Sequence, residues 1–197
     1  MKWRVEGGEW RTFAGQRAAA YRLLGELIGD AVVVEHDDRG APYLPGHPEL
    51  SVSISHCRRA VAVAVSSEGR VGIDVECRRR VGEDLMRRVC TVDELAAVLA
   101  SADPTMAFLQ LWTRKEAVLK MRGTGIQGFG SMVDALKDCR DTACRVRGSR
   151  RCCFVVFGRG TPRPYRRMTV WVPSGWSLTM RLPRVSLESS SESGGTQ

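Results

Sequence analysis

Lysine is nearly missing from this chain: of its 30 basic residues only Lys2, Lys115, Lys120 and Lys137 are lysines, and the other 26 are arginines. Histidine is also scarce, with His36, His47 and His56 alone, and no C-x-x-C pair occurs among the seven cysteines at 57, 77, 90, 139, 144, 152 and 153. That pattern speaks against a zinc site of the usual type. The odd cysteine count and irregular spacing also speak against a disulfide framework, and Met1 to Glu9 contains no apolar leader segment. Reduced thiols in the cytoplasm are the expected setting. Apolar runs such as Ala60 to Val65 fall far short of the roughly 18 residues that a membrane span needs. No Walker A loop, G-x-G-x-x-G turn or G-x-S-x-G elbow is present, which leaves little support for a nucleotide kinase, a dinucleotide enzyme or a serine hydrolase.

What the chain does contain is enough apolar material for a core: 197 residues, 43% hydrophobic and 26% charged. One domain or two small ones fit that length. The net charge is +8, and the last eleven residues, 187–197, hold Glu188 and Glu192 with no base. The body before them therefore carries 30 bases against 20 acids, or +10. Such a field attracts acidic partners without choosing among nucleic acid, phosphorylated cofactors and acidic proteins.

Apolar spacing over Gln16 to Ile28, stopped by Gly29, predicts an amphipathic helix. Short strands are expected at Ala31 to Val34 and Ser51 to Ser55, with a turn over 37–42 and a Pro/Gly-rich loop over 44–50. Ala60 to Val65 and Val71 to Val75, joined through Glu68-Gly69, read as a hairpin. Helices follow over Gly82 to Cys90, over Val92 to Ala100 behind a Thr91 cap, and over Thr105 to Met121, closed by Gly123. Further strands are expected at Cys152 to Phe157, Met168 to Val172 and Trp176 to Leu182, and the Ser/Glu/Gly-rich tail reads as disordered. Helices and strands mix without regular βαβ alternation, so the fold class is α+β.

Three constellations carry chemical potential. In Val71-Gly-Ile-Asp74-Val-Glu76, strand alternation puts both carboxylates and Gly72 on one face and the three apolar residues on the other. Paired carboxylates suit a hard cation such as Mg²⁺, though acids facing solvent on an amphipathic strand satisfy the same pattern. In Trp112-Thr-Arg-Lys115-Glu116-Ala-Val-Leu-Lys120, Glu116 and Lys120 share a helical face at i, i+4. A surface ion pair accounts for that spacing equally well. However, half the chain's lysines stand here, where a compact and deprotonable cation differs from arginine. In Ser51-Val-Ser-Ile-Ser55-His56-Cys57, the histidine is either a structural residue or a donor to a phosphate.

The order and separation of S-I-S-H, G-I-D-V-E and W-T-R-K-E-A-x-x-K resemble the 4′-phosphopantetheinyl transferase superfamily, in its larger pseudo-dimeric class related to the activator of surfactin synthetase. The resemblance runs from about Arg17 to Ile126, where Gly123-Thr-Gly125-Ile126 matches the family's G-x-G-[LI]. It implies two similar α+β subdomains related by a pseudo-twofold axis: an N-terminal half over 1–70, a C-terminal half with the metal-binding acids over 71–186, and a tail over 187–197. The cleft for coenzyme A would lie at their junction near Gly69 to Val71, in a monomer.

Carried over by position, the resemblance implies that Asp74, Glu76 and Glu116 bind Mg²⁺, and that Lys115, Lys120, His56 and Arg17 contact coenzyme A. Glu94 lies where members carry an acid proposed to act in proton removal, and Glu116 is the other candidate for that step. Lys120 would neutralise or protonate the leaving phosphate. The family's G-K-P lysine is Ala41 here, with Arg39 as its substitute, and Val89 or Cys90 stands in place of the aromatic before Glu94. The implied activity is transfer of phosphopantetheine from coenzyme A to a serine of an acidic acyl or peptidyl carrier protein, releasing adenosine 3′,5′-bisphosphate. The expectation includes no nucleic acid and no membrane. The rival reading is a basic nucleic-acid-binding module using Arg58-Arg59, Arg78 to Arg80, Arg87-Arg88 and Arg145 to Arg151, against which only 7% aromatic residues are available for base stacking.

Overall fold

A computed structural model describes residues 1–125, 129–136, 143–148 and 152–158. The first strand, β1 (Lys2–Gly7), leads into helix α1 (Phe13–Ile28). The helix begins three residues before the sequence pattern predicts because the Thr12 hydroxyl accepts the Gly15 amide at 3.1 Å. It ends as predicted at Gly29, whose φ of 92° only glycine adopts readily.

Ala31 to Val34 is not a strand. Val32 and Val34 pack inward while Val33 stays exposed, but the ladder forms just beyond them, between β2 (Glu35–His36) and β3 (Pro42–Tyr43). Asp37 sets that register, its carboxylate accepting the amides of Arg39 and Ala41 at 2.9 and 2.8 Å.

Next come β4 (Ser51–Cys57) and β5 (Ala60–Ser66), an antiparallel hairpin turning at Arg58 and Arg59. The predicted hairpin between Ala60 to Val65 and Val71 to Val75 does not form. β5 already has β1 on one edge and β4 on the other, so β6 (Val71–Cys77) belongs to a second sheet. β1 escapes the sequence reading because only Trp3 and Val5 alternate among charged neighbours.

β5 is buried on both faces. Val61, Val63 and Val65 pack under Ala20, Leu23 and Leu24 of α1, whereas Ala60, Ala62 and Ala64 face Val71, Ile73 and Val75 of β6. Alanines on that side let the second sheet come close. The contact is polar as well as apolar: the hydroxyls of Ser51, Ser53 and Ser55 on β4 accept the amides of Val71, Ile73 and Val75 at 3.1, 3.1 and 3.3 Å.

Beyond β6 lie α2 (Glu83–Val89), α3 (Val92–Leu99), α4 (Pro104–Arg122) and α5 (Phe129–Val133), then β7 (Ala143–Gly148) and β8 (Cys152–Gly158). The second sheet has the order β6-β8-β7, all antiparallel. α4 starts at an Asp103 cap with Pro104 in the first turn and stops at Gly123, as its sequence signals predict. Phe108 and Leu119 of α4, Met86 and Val89 of α2, Val98 of α3 and Met132 of α5 close a separate core. The mixed α+β class holds, and β8 matches the predicted strand at Cys152 to Phe157. Met168 to Val172, Trp176 to Leu182 and the tail over 187–197 lie outside the described residues. Among those described, no helix is long and apolar enough to cross a membrane.

α4 lies directly on β6. A Cβ at Gly72 would come within 1.9 Å of the Ala117 carbonyl oxygen and 2.6 Å of the Met121 amide, so backbone meets backbone there. Gly72→Ala is therefore expected to lower unfolding stability by at least about 2 kcal/mol in a denaturant titration. Gly46→Ala, where nothing lies within 4 Å of the added carbon, should stay within about 0.5 kcal/mol of the unaltered chain. Equal midpoints for the two variants would refute the close-packed contact.

Candidate functional site

The Gly72 contact sets the angle at which α4 presents its side chains to β6. Position 72 being empty, Glu116 and Lys120 come down beside Asp74 and Glu76, and Trp112 follows one turn earlier. β4 adds Ser55 and His56, α1 adds Phe13, Arg17 and Tyr21, and His36, Gly40 and Pro42 come from the β2–β3 region. Together they line a cleft of about 490 Å³ between the two sheets.

Asp74 is the most buried acid of the cleft, 5% exposed. Its Oδ1 accepts the Ser55 hydroxyl and the Lys120 ammonium, each at 2.7 Å. Lys120 also donates to the Ile73 carbonyl at 3.3 Å. The other oxygen, Oδ2, is buried with no hydrogen-bond partner. An orphaned carboxylate oxygen is costly in a protein interior unless something else satisfies it.

The neighbouring acids feel that crowding. Burial, then the charge of Asp74, pushes the Glu116 carboxyl up to about 7, with Glu76 adding to the rise and Lys120 opposing it. Burial likewise raises Glu76, against the pull of Arg79 at 3.5 Å, whose guanidinium lies 5.9 Å from the Trp112 ring centre. His56 is pushed down by burial and by Lys120, and its ring meets Phe13 edge-on at 5.0 Å. Asp74, Glu76 and Glu116 thus stand together on one wall, with Lys120 and Arg79 as the cations beside them. Among the described residues, however, no group of three His, Cys, Asp or Glu side chains is already gathered as a metal cage.

Of the residues singled out by sequence, the structure brings Arg17, His56, Asp74, Glu76, Glu116 and Lys120 to the cleft. It does not bring Lys115, Glu94 or Arg39. Lys115 is fully buried, its ammonium donating to Glu94 Oε2 at 2.6 Å, the Val89 carbonyl at 2.9 Å and the Val133 carbonyl at 3.2 Å. Helical geometry explains the correction, since consecutive residues point about 100° apart and Lys115 cannot share the Glu116 face. Glu94 also completes a capping box with Thr91 at the start of α3, so both residues tie helices together and neither lines the cleft. Arg39 is exposed on the β2–β3 turn, and only its neighbour Gly40 lines the cleft.

Sequence reasoning missed Phe13, Tyr21 and His36, and placed Trp112 only in an apolar stripe. No motif spacing marks them, because they reach the cleft through the packing of α1 and the β2–β3 ladder. The scarcity of histidine was the single available signal for His36.

A family profile for the 4′-phosphopantetheinyl transferase superfamily matches residues 70–168, which takes in Asp74, Glu76, Glu116 and Lys120. The chain is 29% identical over 151 residues to a 4′-phosphopantetheinyl transferase of Bacillus subtilis, covering 74% of this chain and 66% of that protein. It is 27% identical over 130 residues to 4′-phosphopantetheinyl transferase Sfp of Bacillus subtilis (strain 168), covering 59% and 58%. Against 4′-phosphopantetheinyl transferase AcpT of Salmonella typhi it is 30% identical over 105 residues, covering 51% and 55%. The chain spans between 55% and 66% of the length of these relatives. They give the nucleic-acid-binding alternative no support.

Two outcomes follow from the geometry. Lys115→Met strips the partner from Glu94 and from the Val89 and Val133 carbonyls, and should destabilise the fold by about 3–5 kcal/mol in denaturant unfolding; a loss under about 1 kcal/mol would contradict the tie made by the buried ammonium. Glu116 holds its proton more tightly folded than unfolded, since its carboxyl rises from 4.5 to about 7. Between those values the unfolded chain has released a proton that the folded chain keeps, so stability falls as pH rises through that window. In metal-free buffer the unfolding midpoint should drop from about pH 5 to about pH 8, and Glu116→Gln should reduce that drop; an unchanged profile in the variant would contradict it.

Proposed function

Because the chain belongs to the 4′-phosphopantetheinyl transferase superfamily, we propose that it moves the 4′-phosphopantetheine group of coenzyme A onto a serine of an acidic acyl or peptidyl carrier protein, releasing adenosine 3′,5′-bisphosphate. The observation that carries this reading is the wall formed by Asp74, Glu76, Glu116 and Lys120, with a buried carboxylate oxygen aimed at nothing in the protein.

Asp74, Glu76 and Glu116 would hold Mg²⁺. The fit rests on the orphaned Asp74 oxygen and on the three carboxylates that share one wall of the cleft. When bound, the ion supplies charge neutralisation at the diphosphate. The chain's own residues do the rest. Arg17 and His56 also line the cleft and would receive coenzyme A phosphate oxygens, His56 by donating from its ring N–H. Lys120, already 2.7 Å from Asp74, stands where charge builds on the leaving phosphate. Glu116, directly or through a water, would take the proton from the carrier serine onto a carboxylate oxygen. Phosphoryl transfer asks for little more than positioning and charge stabilisation, which this wall provides.

The same reading places a pseudo-twofold axis between halves 1–70 and 71–186 of a cytoplasmic monomer. Supporting it, each side of the junction has a three-stranded antiparallel sheet with one long helix, α1 over β5 and α4 over β6. The +10 body gives an acidic carrier an electrostatic reason to dock.

Incubating the full chain with coenzyme A, Mg²⁺ and apo carriers of the fatty-acid, polyketide and peptide kinds should add one phosphopantetheine mass to at least one of them. Asp74→Ala should lower the rate roughly 100-fold or more, the scale of losing one electrostatic stabiliser. No mass gain on any carrier, or an undiminished rate in Asp74→Ala, would overturn the proposal.

A further inference from the structure

The joint between the two sheets is built on a constant offset. Ser51, Ser53 and Ser55 on β4 reach the amides of Val71, Ile73 and Val75 on β6, each pair twenty residues apart. The next rung in the series is Cys57 with Cys77. Here the side chain is a thiol instead of a hydroxyl, and it meets a second thiol: the two Sγ atoms lie 3.0 Å apart.

From this we propose that Cys57 and Cys77 form a redox-modification site, a dithiol that a small-molecule disulfide of the glutathione type converts to an intrachain cystine linking β4 to β6. The inference is independent of the transferase reading. Three observations carry it. The sulfurs are already in contact, so the rung needs only a small closing movement to reach the roughly 2.05 Å of an S–S bond. Both residues are half-buried at strand ends, where a reagent can arrive, whereas Cys90 and Cys153 are buried in the cores. Arginines follow each cysteine, Arg58-Arg59 and Arg78 to Arg80, and favour the approach of an anionic disulfide.

The exchange balances as two steps. One cysteine, giving up its proton, attacks a sulfur of the small disulfide; that S–S bond breaks and one small thiol leaves with a proton. The second cysteine attacks the mixed disulfide, forming the Cys57–Cys77 bond and releasing the second small thiol with the other proton. The protein dithiol is oxidised by two electrons and the small disulfide is reduced by two.

The site has a place in the cleft. Cys57 follows His56 and Cys77 follows Glu76, so the cystine would fix the spacing between two strands that each present a cleft residue one position earlier. Cys57 also holds α1, its carbonyl accepting the Gln16 side-chain amide at 3.1 Å one residue before Arg17.

To test it, the full chain is reduced, exchanged into excess glutathione disulfide, alkylated and digested for peptide mass mapping, with thermal unfolding measured on both forms. The expected result is a Cys57–Cys77 linked peptide and a midpoint roughly 5–10 °C above that of the reduced chain, the scale for closing a loop of this length. Dithiothreitol should reverse both. Cys57→Ser continues the serine series and so keeps the fold; it should unfold like the reduced chain and show no shift with glutathione disulfide. Register also sets Cys77 opposite Cys152, which supplies the rival outcome. A link from Cys77 to Cys152, glutathione adducts without a link, or equal midpoints for oxidised and reduced chains would each overturn the proposal.

Discussion

Three serine hydroxyls hold this molecule in its working arrangement. β6 is an edge strand: β8 takes one row of its hydrogen-bonding groups, and the amides of Val71, Ile73 and Val75 face away from that sheet toward β4. Leaving them bare in the interior would cost about 1–3 kcal/mol each. β4, the outer strand of its own sheet, meets them with side chains. A hydroxyl can accept and donate at once, and Ser55 does both, taking the Val75 amide and giving its proton to Asp74. The rung that joins the sheets thus also orients the most buried acid of the cleft.

From that joint the remaining geometry follows in order. β6 is held with its valines and isoleucine against the alanine face of β5, so Asp74 and Glu76 must face outward, toward α4. Gly72 lets α4 descend until its backbone touches the strand, and the distance from helix axis to acids becomes short enough for Lys120 to reach Asp74. Lys115, on the far side of the same helix, anchors that side by three hydrogen bonds to α2, α3 and the end of α5. One adjacent pair of residues, Lys115 and Glu116, therefore divides between holding the helix and serving the cleft.

Strand alternation in Val71 to Glu76 and helical spacing in Trp112 to Lys120 put Asp74 with Glu76, and Glu116 with Lys120, on shared faces, because each signal is local and periodic; joining the two pairs in one site took the family resemblance. The resemblance also put Lys115 with them, whereas the helix's rotation against β6 seats it beside Glu94, away from the cleft. Scarcity of lysine pointed to both positions for unlike reasons: at 120 a charge half in the cleft, at 115 a compact buried ammonium matched to three oxygens. The misread hairpin has a similar cause. Apolar runs at Ala60 to Val65 and Val71 to Val75 announce two buried strands, but partnership depends on whether an edge is still open, and β1, sixty residues away in sequence, had filled it. Phe13, Tyr21 and His36 reach the cleft only by packing, which no pattern of spacing encodes.

The constant offset between β4 and β6 has a bearing on how the chain finds its shape. Bridges between distant parts of a chain are slow to form because a long loop must be closed before any contact repays it. Here every rung of the joint between the sheets closes a segment of the same modest length, and β5, the strand inside that segment, is itself hairpinned to β4. The acids of β6 can thus be set beside His56 by nearly local search, before α4 is laid across Gly72. A cleft drawing on both sheets is, along the chain, assembled mostly between neighbours.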